Sequence, residues 1–239
     1  MTDFAEIWSY LAQGPLVWLT LTLIAYVIGD LIAETAHRAP LANPVLIAVI
    51  LLALMLWATG TPYPVYFEGA QFVHFLLGPA TVALAVPLHA QGARLRRAVL
   101  PVLAGVATGS VVAITSALLI ARALGVEAAT LAALAPKSTT APVAIGIAQG
   151  LGGSPTLAAV LVILTGITGA LVATPLLNAL GFRDWRARGL SVGTAAHGIG
   201  TARAFQVHPT AGAFAGIGMG LNAILTALLA PVVLRVVVG

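Results

Sequence analysis

Pro136-Lys137-Ser138-Thr139-Thr140-Ala141-Pro142 is the stretch on which the fold turns. It holds the only lysine of 239 residues, with apolar sequence on both sides. Each proline lacks an amide hydrogen and disrupts a continuing helix. The residue before each proline is biased toward extended backbone. Inside a bilayer, broken backbone survives only where protein buries it or where it lines a wet cavity. A charge at such a break marks a functional site by default. If a half-helix starts near Ser138, its free amides and positive dipole end face the break. With the Lys137 charge and the Ser138, Thr139 and Thr140 hydroxyls, that arrangement suits a carboxylate or phosphate. The alternative is a solvated loop with Lys137 among lipid headgroups.

Composition sets the surroundings. The chain is 60% hydrophobic and 8% charged, against about 25% charged for soluble domains. Several apolar stretches reach about 20 residues, enough to span a bilayer. The period-2 alternation of a membrane barrel is absent. The expectation is one all-α, polytopic integral membrane domain over residues 1–239. The net charge of +4 comes from arginines in short loops, where they set orientation and do not signal nucleic acid. Without cysteine there is no disulfide or thiolate chemistry. Met1–Glu6 lacks a basic leader region, so the first apolar helix is expected to stay as an anchor.

Eight apolar segments are expected: 15–33, 44–58, 72–89, 99–120, 128–151, 156–180, 190–207 and 211–238. Arg94, Arg96 and Arg97 follow the third, and Arg183, Arg186 and Arg188 follow the sixth. The positive-inside rule wants both clusters in the cytoplasm, which needs an even number of crossings between them. A re-entrant hairpin over 128–151 supplies that, since each half is too short to span alone. The resulting chain has seven spans, an outer N-terminus and an inner C-terminus carrying Arg235 in the inner membrane. The competing reading has eight spans, with 128–151 crossing as an unwound helix. A hint of repetition links Gly78-Pro79-Ala80-Thr81 and Ala90-Gln91-Gly92 to Pro136-Lys137-Ser138-Thr139 and Ala148-Gln149-Gly150.

A second polar run is Gly193-Thr194-Ala195-Ala196-His197-Gly198-Ile199-Gly200-Thr201-Ala202-Arg203. Its small residues let backbones approach, and Gly198 and Gly200 permit local unwinding. Arg203 can grip a carboxylate with paired hydrogen bonds, or snorkel to an outer face. His197 titrates near neutrality, or simply bonds a neighbouring helix. Asn222, deep in the last segment, joins the cavity or bonds a neighbour. Asp30, Glu34 and Arg38 share a helical face and read as surface pairing. Trp18, Trp57, Tyr63 and Tyr66 are candidate interfacial anchors. No metal-binding His/Glu pair at helical spacing and no phosphate-binding glycine loop occurs, so neither an enzyme nor a cofactor is expected.

The Pro136–Pro142 and Gly193–Ala204 runs resemble the two signature segments of the LrgB/CidB family. Asn43-Pro44, Phe75-Leu76-Leu77-Gly78-Pro79-Ala80, Gly152-Gly153 and Gly220-Leu221-Asn222 agree with it. That family is named for antiholin-like control of murein hydrolases, and its plant relative is the plastid glycolate/glycerate translocator. Bacterial relatives are associated with movement of pyruvate and similar acids, beside a small LrgA/CidA-like membrane protein. The resemblance implies a transporter subunit for small monocarboxylates such as glycolate, glycerate, lactate or pyruvate. The alternative it carries is an antiholin-like regulator of permeability. Lys137, Ser138, Thr139, Thr140, His197, Gly198, Gly200, Thr201, Arg203 and Asn222 are then the candidate binding residues, with His197 the proton site. A homodimer in the lipid bilayer is the expected assembly. The family often carries acidic residues near the positions of Gly146, Gln206 and Ala211, which this chain lacks.

Overall fold

The computed structural model describes residues 14–39, 41–76, 79 and 98–238. The expected segment 72–89, the Arg94–Arg97 cluster, the Met1–Glu6 stretch and the first copy of the repeat lie wholly or largely outside them. All regular structure among the described residues is helical. The chain forms two compact units, Met1–Ala83 and Leu84–Gly239.

In the first unit α1 (Pro15–Thr35), α2 (Pro44–Thr59) and α3 (Tyr63–Phe75) follow one another. Pro15 opens α1, where its missing amide costs nothing. The Asn43 side chain caps α2, accepting from the amides of Val45 at 2.9 Å and Leu46 at 3.1 Å. Gly60 ends α2 in the left-handed region at φ 62°. Helix α3 carries Glu68, where a loop was expected, because Tyr63, Tyr66 and Phe67 form an aromatic face. Trp18 is not an interfacial anchor. It is fully buried and meets Tyr66 edge-on at 5.8 Å. Trp57 is 83% exposed. Arg38 pairs with Asp30 at 3.1 Å and Glu34 at 2.9 Å, the surface cluster that the spacing predicts.

The second unit holds α4 (Val99–Ala123), α5 (Ala128–Leu134), α6 (Ala141–Gly150), α7 (Pro155–Ala179), α8 (Trp185–Val207) and α9 (Pro209–Val238). Helices α1, α4, α7 and α9 are long and apolar enough to cross a membrane. They point large apolar side chains outward, such as Leu100, Leu228 and Val236, as a lipid-facing surface requires.

Helices α5 and α6 fold back on each other. Ala133 packs with Ala148 and with Ala158 at the start of α7. Ala128 and Leu151, the two ends of the pair, line one cavity with Arg235 near the end of α9. The break between them spans residues 135–140, and Thr140 leads into α6 with Pro142 in its first turn. One detail departs from expectation. Ala135, before Pro136, stays helical at φ −49°, ψ −47°, because its amide still bonds Leu131 O at 2.9 Å.

Helix α8 is also a hairpin, where a crossing segment with local unwinding at Gly198 and Gly200 was expected. A straight 23-residue helix is roughly 34 Å long. Instead the rings of Trp185 and His208, at its two ends, stack 4.8 Å apart. The reversal is at Ala196 (φ −126°, ψ 17°) and His197 (φ 42°, ψ −134°). A Cβ on Gly200 would lie 3.0 Å from Val192 of the outgoing arm, so the arms touch.

The two hairpins enter from opposite ends of the unit. Val102 and Val106 of α4 pack with Phe214 and Ile217 of α9, while Ile114 and Leu118 pack with Ala230 and Val237. Helices α4 and α9 therefore run parallel. The base of α5–α6 sits at their C-terminal end, and the base of α8 sits at their N-terminal end against Ala211 and Ala215. Arg235 consequently lies at the end opposite to the Arg183–Arg188 loop. The sequence reading puts both on one membrane face; here the reversal in α8 leaves them at opposite ends of the unit.

Candidate functional site

Both tips meet near the middle of α4, α7 and α9. At the first tip, the Thr139 hydroxyl donates to Pro136 O at 2.9 Å and closes the break. Ser138 and Thr139 are buried. Asn222, wholly buried at the centre of α9, donates from Nδ2 to Ser138 O at 2.9 Å. Its Oδ1 accepts from the Ser110 hydroxyl at 2.6 Å and from Thr226 at 3.3 Å. This network ties the tip to α4 and α9, and it fixes the amide's orientation, since only the NH2 can donate to a carbonyl. Asn222 thus bonds neighbouring elements and is wholly buried. Ser110 also stands 2.7 Å from Val106 O, so its one proton serves two acceptors.

At the second tip, His197 is buried and its Nε2 lies 2.9 Å from Val162 O of α7. A carbonyl only accepts, so Nε2 carries the proton and Nδ1 does not in the neutral ring. Gly166 leaves space for the ring, since a Cβ there would lie 2.6 Å from His197 Cε1. The Thr201 hydroxyl donates to His197 O at 2.7 Å. Gly198 and Gly200 follow the reversal. The sequence reading of an unwound segment here holds, but the residue in the left-handed region is His197 and not a glycine.

A cleft of ≈ 560 Å³ lies between the tips and α7. Lys137, Ser138, Thr165, Thr168, Ser191 and Ala196 are among its lining. Lys137 is half-buried, and its ammonium donates to Ser138 Oγ at 3.2 Å. It is close enough to His197 for direct electrostatic interaction. Arg203 does not line the cleft. It lies on the returning arm of α8 and bonds Gln206 Oε1 at 3.3 Å. Lys137 and Arg203 are therefore not brought together across the cleft.

Sequence reasoning passed over Ser110, Thr165, Thr168 and Ser191. Ser110 was findable as a polar residue at mid-span. The others sit among ordinary helical hydroxyls, and their sequence carries no signal. Of the positions where acidic residues were expected, Gly146 faces open space, Gln206 is exposed, and Ala211 is buried against Gly189.

Two helical hairpins meeting at a polar centre, amid long apolar helices, define a multi-pass helical membrane protein. The chain belongs to the LrgB-like family, whose match covers residues 22–236. It is 33% identical over 216 residues to the holin-like protein CidB of Staphylococcus epidermidis, covering 90% of this chain and 94% of that one. It is 36% identical over 194 residues to the uncharacterized protein YxaC of Bacillus subtilis, covering 81% and 84%. The holin-like protein CidB of Staphylococcus aureus is 31% identical over 219 residues, covering 92% and 95%. No solved structure matches the chain.

Proposed function

We propose that this protein is a transport subunit for small monocarboxylates of the glycolate, glycerate, lactate or pyruvate class. The observation that carries the reading is the Lys137 ammonium at a hairpin tip, lining the cleft between the two tips. An ammonium has three donors, and one goes to Ser138 Oγ. The other two are available to a carboxylate. Thr139 and Thr140 shape the first tip. His197, Gly198, Gly200 and Thr201 build the opposing one. Arg203 stands on the returning arm of α8, outside the cleft lining.

In this reading both hairpins are re-entrant, with arms of roughly 10–16 Å against about 30 Å of hydrocarbon. The Arg183–Arg188 loop faces the cytoplasm of the inner membrane under the positive-inside rule. The end of α9, one crossing away, then lies outside. Movement of the two hairpins against their surroundings alternates access. Proton coupling runs through His197, and a small LrgA/CidA-like protein is the proposed partner.

The test is uptake of radiolabelled glycolate and pyruvate by proteoliposomes, with and without that partner, and with and without a pH gradient. Saturable uptake lost in Lys137→Gln supports the reading. Absence of saturable flux under every condition overturns it. The printed name of the staphylococcal relatives, holin-like protein, favours a second reading, control of membrane permeability. Flux that is non-saturable and indifferent to Lys137→Gln supports that second reading instead.

A further inference from the structure

We infer that the cleft selects singly charged acids with an apolar tail over hydroxylated or doubly charged ones, a specificity that rests on reading this cleft as the anion site. Among the described residues Lys137 is the one charged residue in the lining, and none of them brings a carboxylate to it. A second carboxylate on the ligand would meet no cation. Of the lining hydroxyls, Thr165 and Ser191 have their protons engaged, whereas Ser138 and Thr168 do not. Thr165 donates to Leu161 O at 2.7 Å, and Ser191 donates to Arg188 O at 2.9 Å. Both can still accept, but neither offers a free proton to a ligand hydroxyl.

Beyond the lysine the walls are apolar. Leu164, Val172, Leu176 and Leu177 of α7 face Val192 and Ala195 of α8 across the cleft. A water takes up about 30 Å³, so ≈ 560 Å³ far exceeds what a three-carbon acid fills. A carboxylate held at Lys137 projects its substituent along these walls. An added CH2 there leaves water and gains affinity. A hydroxyl packed against these apolar side chains loses water partners that they do not replace. Pyruvate and lactate therefore rank above glycerate, and four- to six-carbon monocarboxylates rank above all three.

The experiment measures binding separately from transport. Purified protein in detergent is titrated with acetate, butyrate, hexanoate, glycerate and succinate, and thermal stabilisation is read. The same acids compete against radiolabelled pyruvate in proteoliposomes. The expected result is a two- to fourfold gain in apparent affinity per added CH2, with glycerate weaker than butyrate and succinate inert. Val172→Thr, which keeps the volume of the wall, lowers the gain per CH2. A flat chain-length series, or glycerate or succinate binding as well as butyrate, overturns the inference. So does a series unchanged in Lys137→Gln, which would mark simple partition into the micelle. Graded binding without pyruvate uptake would sustain the ligand class while sinking the transport reading, so the two failures are distinguishable.

Discussion

At the residue scale, Asn222 and Asp184 illustrate two kinds of polar work. Asn222 satisfies Ser138 O, Ser110 and Thr226 without any exposure. Asn222→Ala removes the donor to Ser138 O and leaves that carbonyl buried and unmatched, at a cost of about 1–3 kcal/mol. A lowered Tm in detergent checks this, and Lys137-dependent ligand binding should weaken with it. Asp184 begins α8 from a loop and accepts from the Arg186 amide at 2.8 Å. Hydrogen bonds from the Arg186 side chain and amide hold its carboxyl down at about 2. A depressed carboxyl contributes stability above its unfolded pKa, about 3.9, and loses it as pH falls toward 2. Thermal unfolding of wild type should therefore soften between about pH 4 and 2, whereas Asp184→Asn should lack that dependence. The difference is small, because the pair is largely exposed to solvent.

At the element scale, thinness decides how α8 packs. A Cβ at Gly189 or Gly193 would collide with the backbone carbonyls of Ala211 or Ala215, whereas Gly146 and Gly220 have open space. Gly193→Ala should force α8 from α9 and destabilise by about 1–3 kcal/mol, with Gly220→Ala as a near-neutral control in the same melt. The first hairpin was legible in sequence because Pro136 and Pro142 bracket its break and its halves are short. The long helices were legible from apolar length alone. The folding-back of α8 was not, because its reversal rests on His197, a residue type with no strong turn preference, within a run that reads equally well as one thin helix. Of the expected site, the Lys137–Thr140 tip was legible from its charge. Arg203 falls on the returning arm of α8, outside the lining of the Lys137 cleft, because sequence distance alone hides which arm of a hairpin a residue occupies.

At the scale of the whole molecule, the parallel course of α4 and α9 and the opposed hairpins constrain sidedness. The chain has no cysteine, so single introduced cysteines report cleanly. Glu127→Cys and Ser154→Cys, at the two ends of the first hairpin, should react with an impermeant maleimide from one side of the membrane. Arg183→Cys and Pro209→Cys, flanking α8, should react from the other. Labelling of residues 127 and 154 from opposite sides would instead make 128–151 a crossing segment. The order of the elements along the chain also governs assembly during synthesis. Ser138 and Asn222 are 84 residues apart, so the first hairpin emerges long before its latch exists. Neither of its arms can hold a transmembrane position alone. The hairpin must therefore wait at the membrane surface, or beside α4, until α9 is inserted. A chain truncated after α7 should carry Lys137 on an unlatched and protease-sensitive loop.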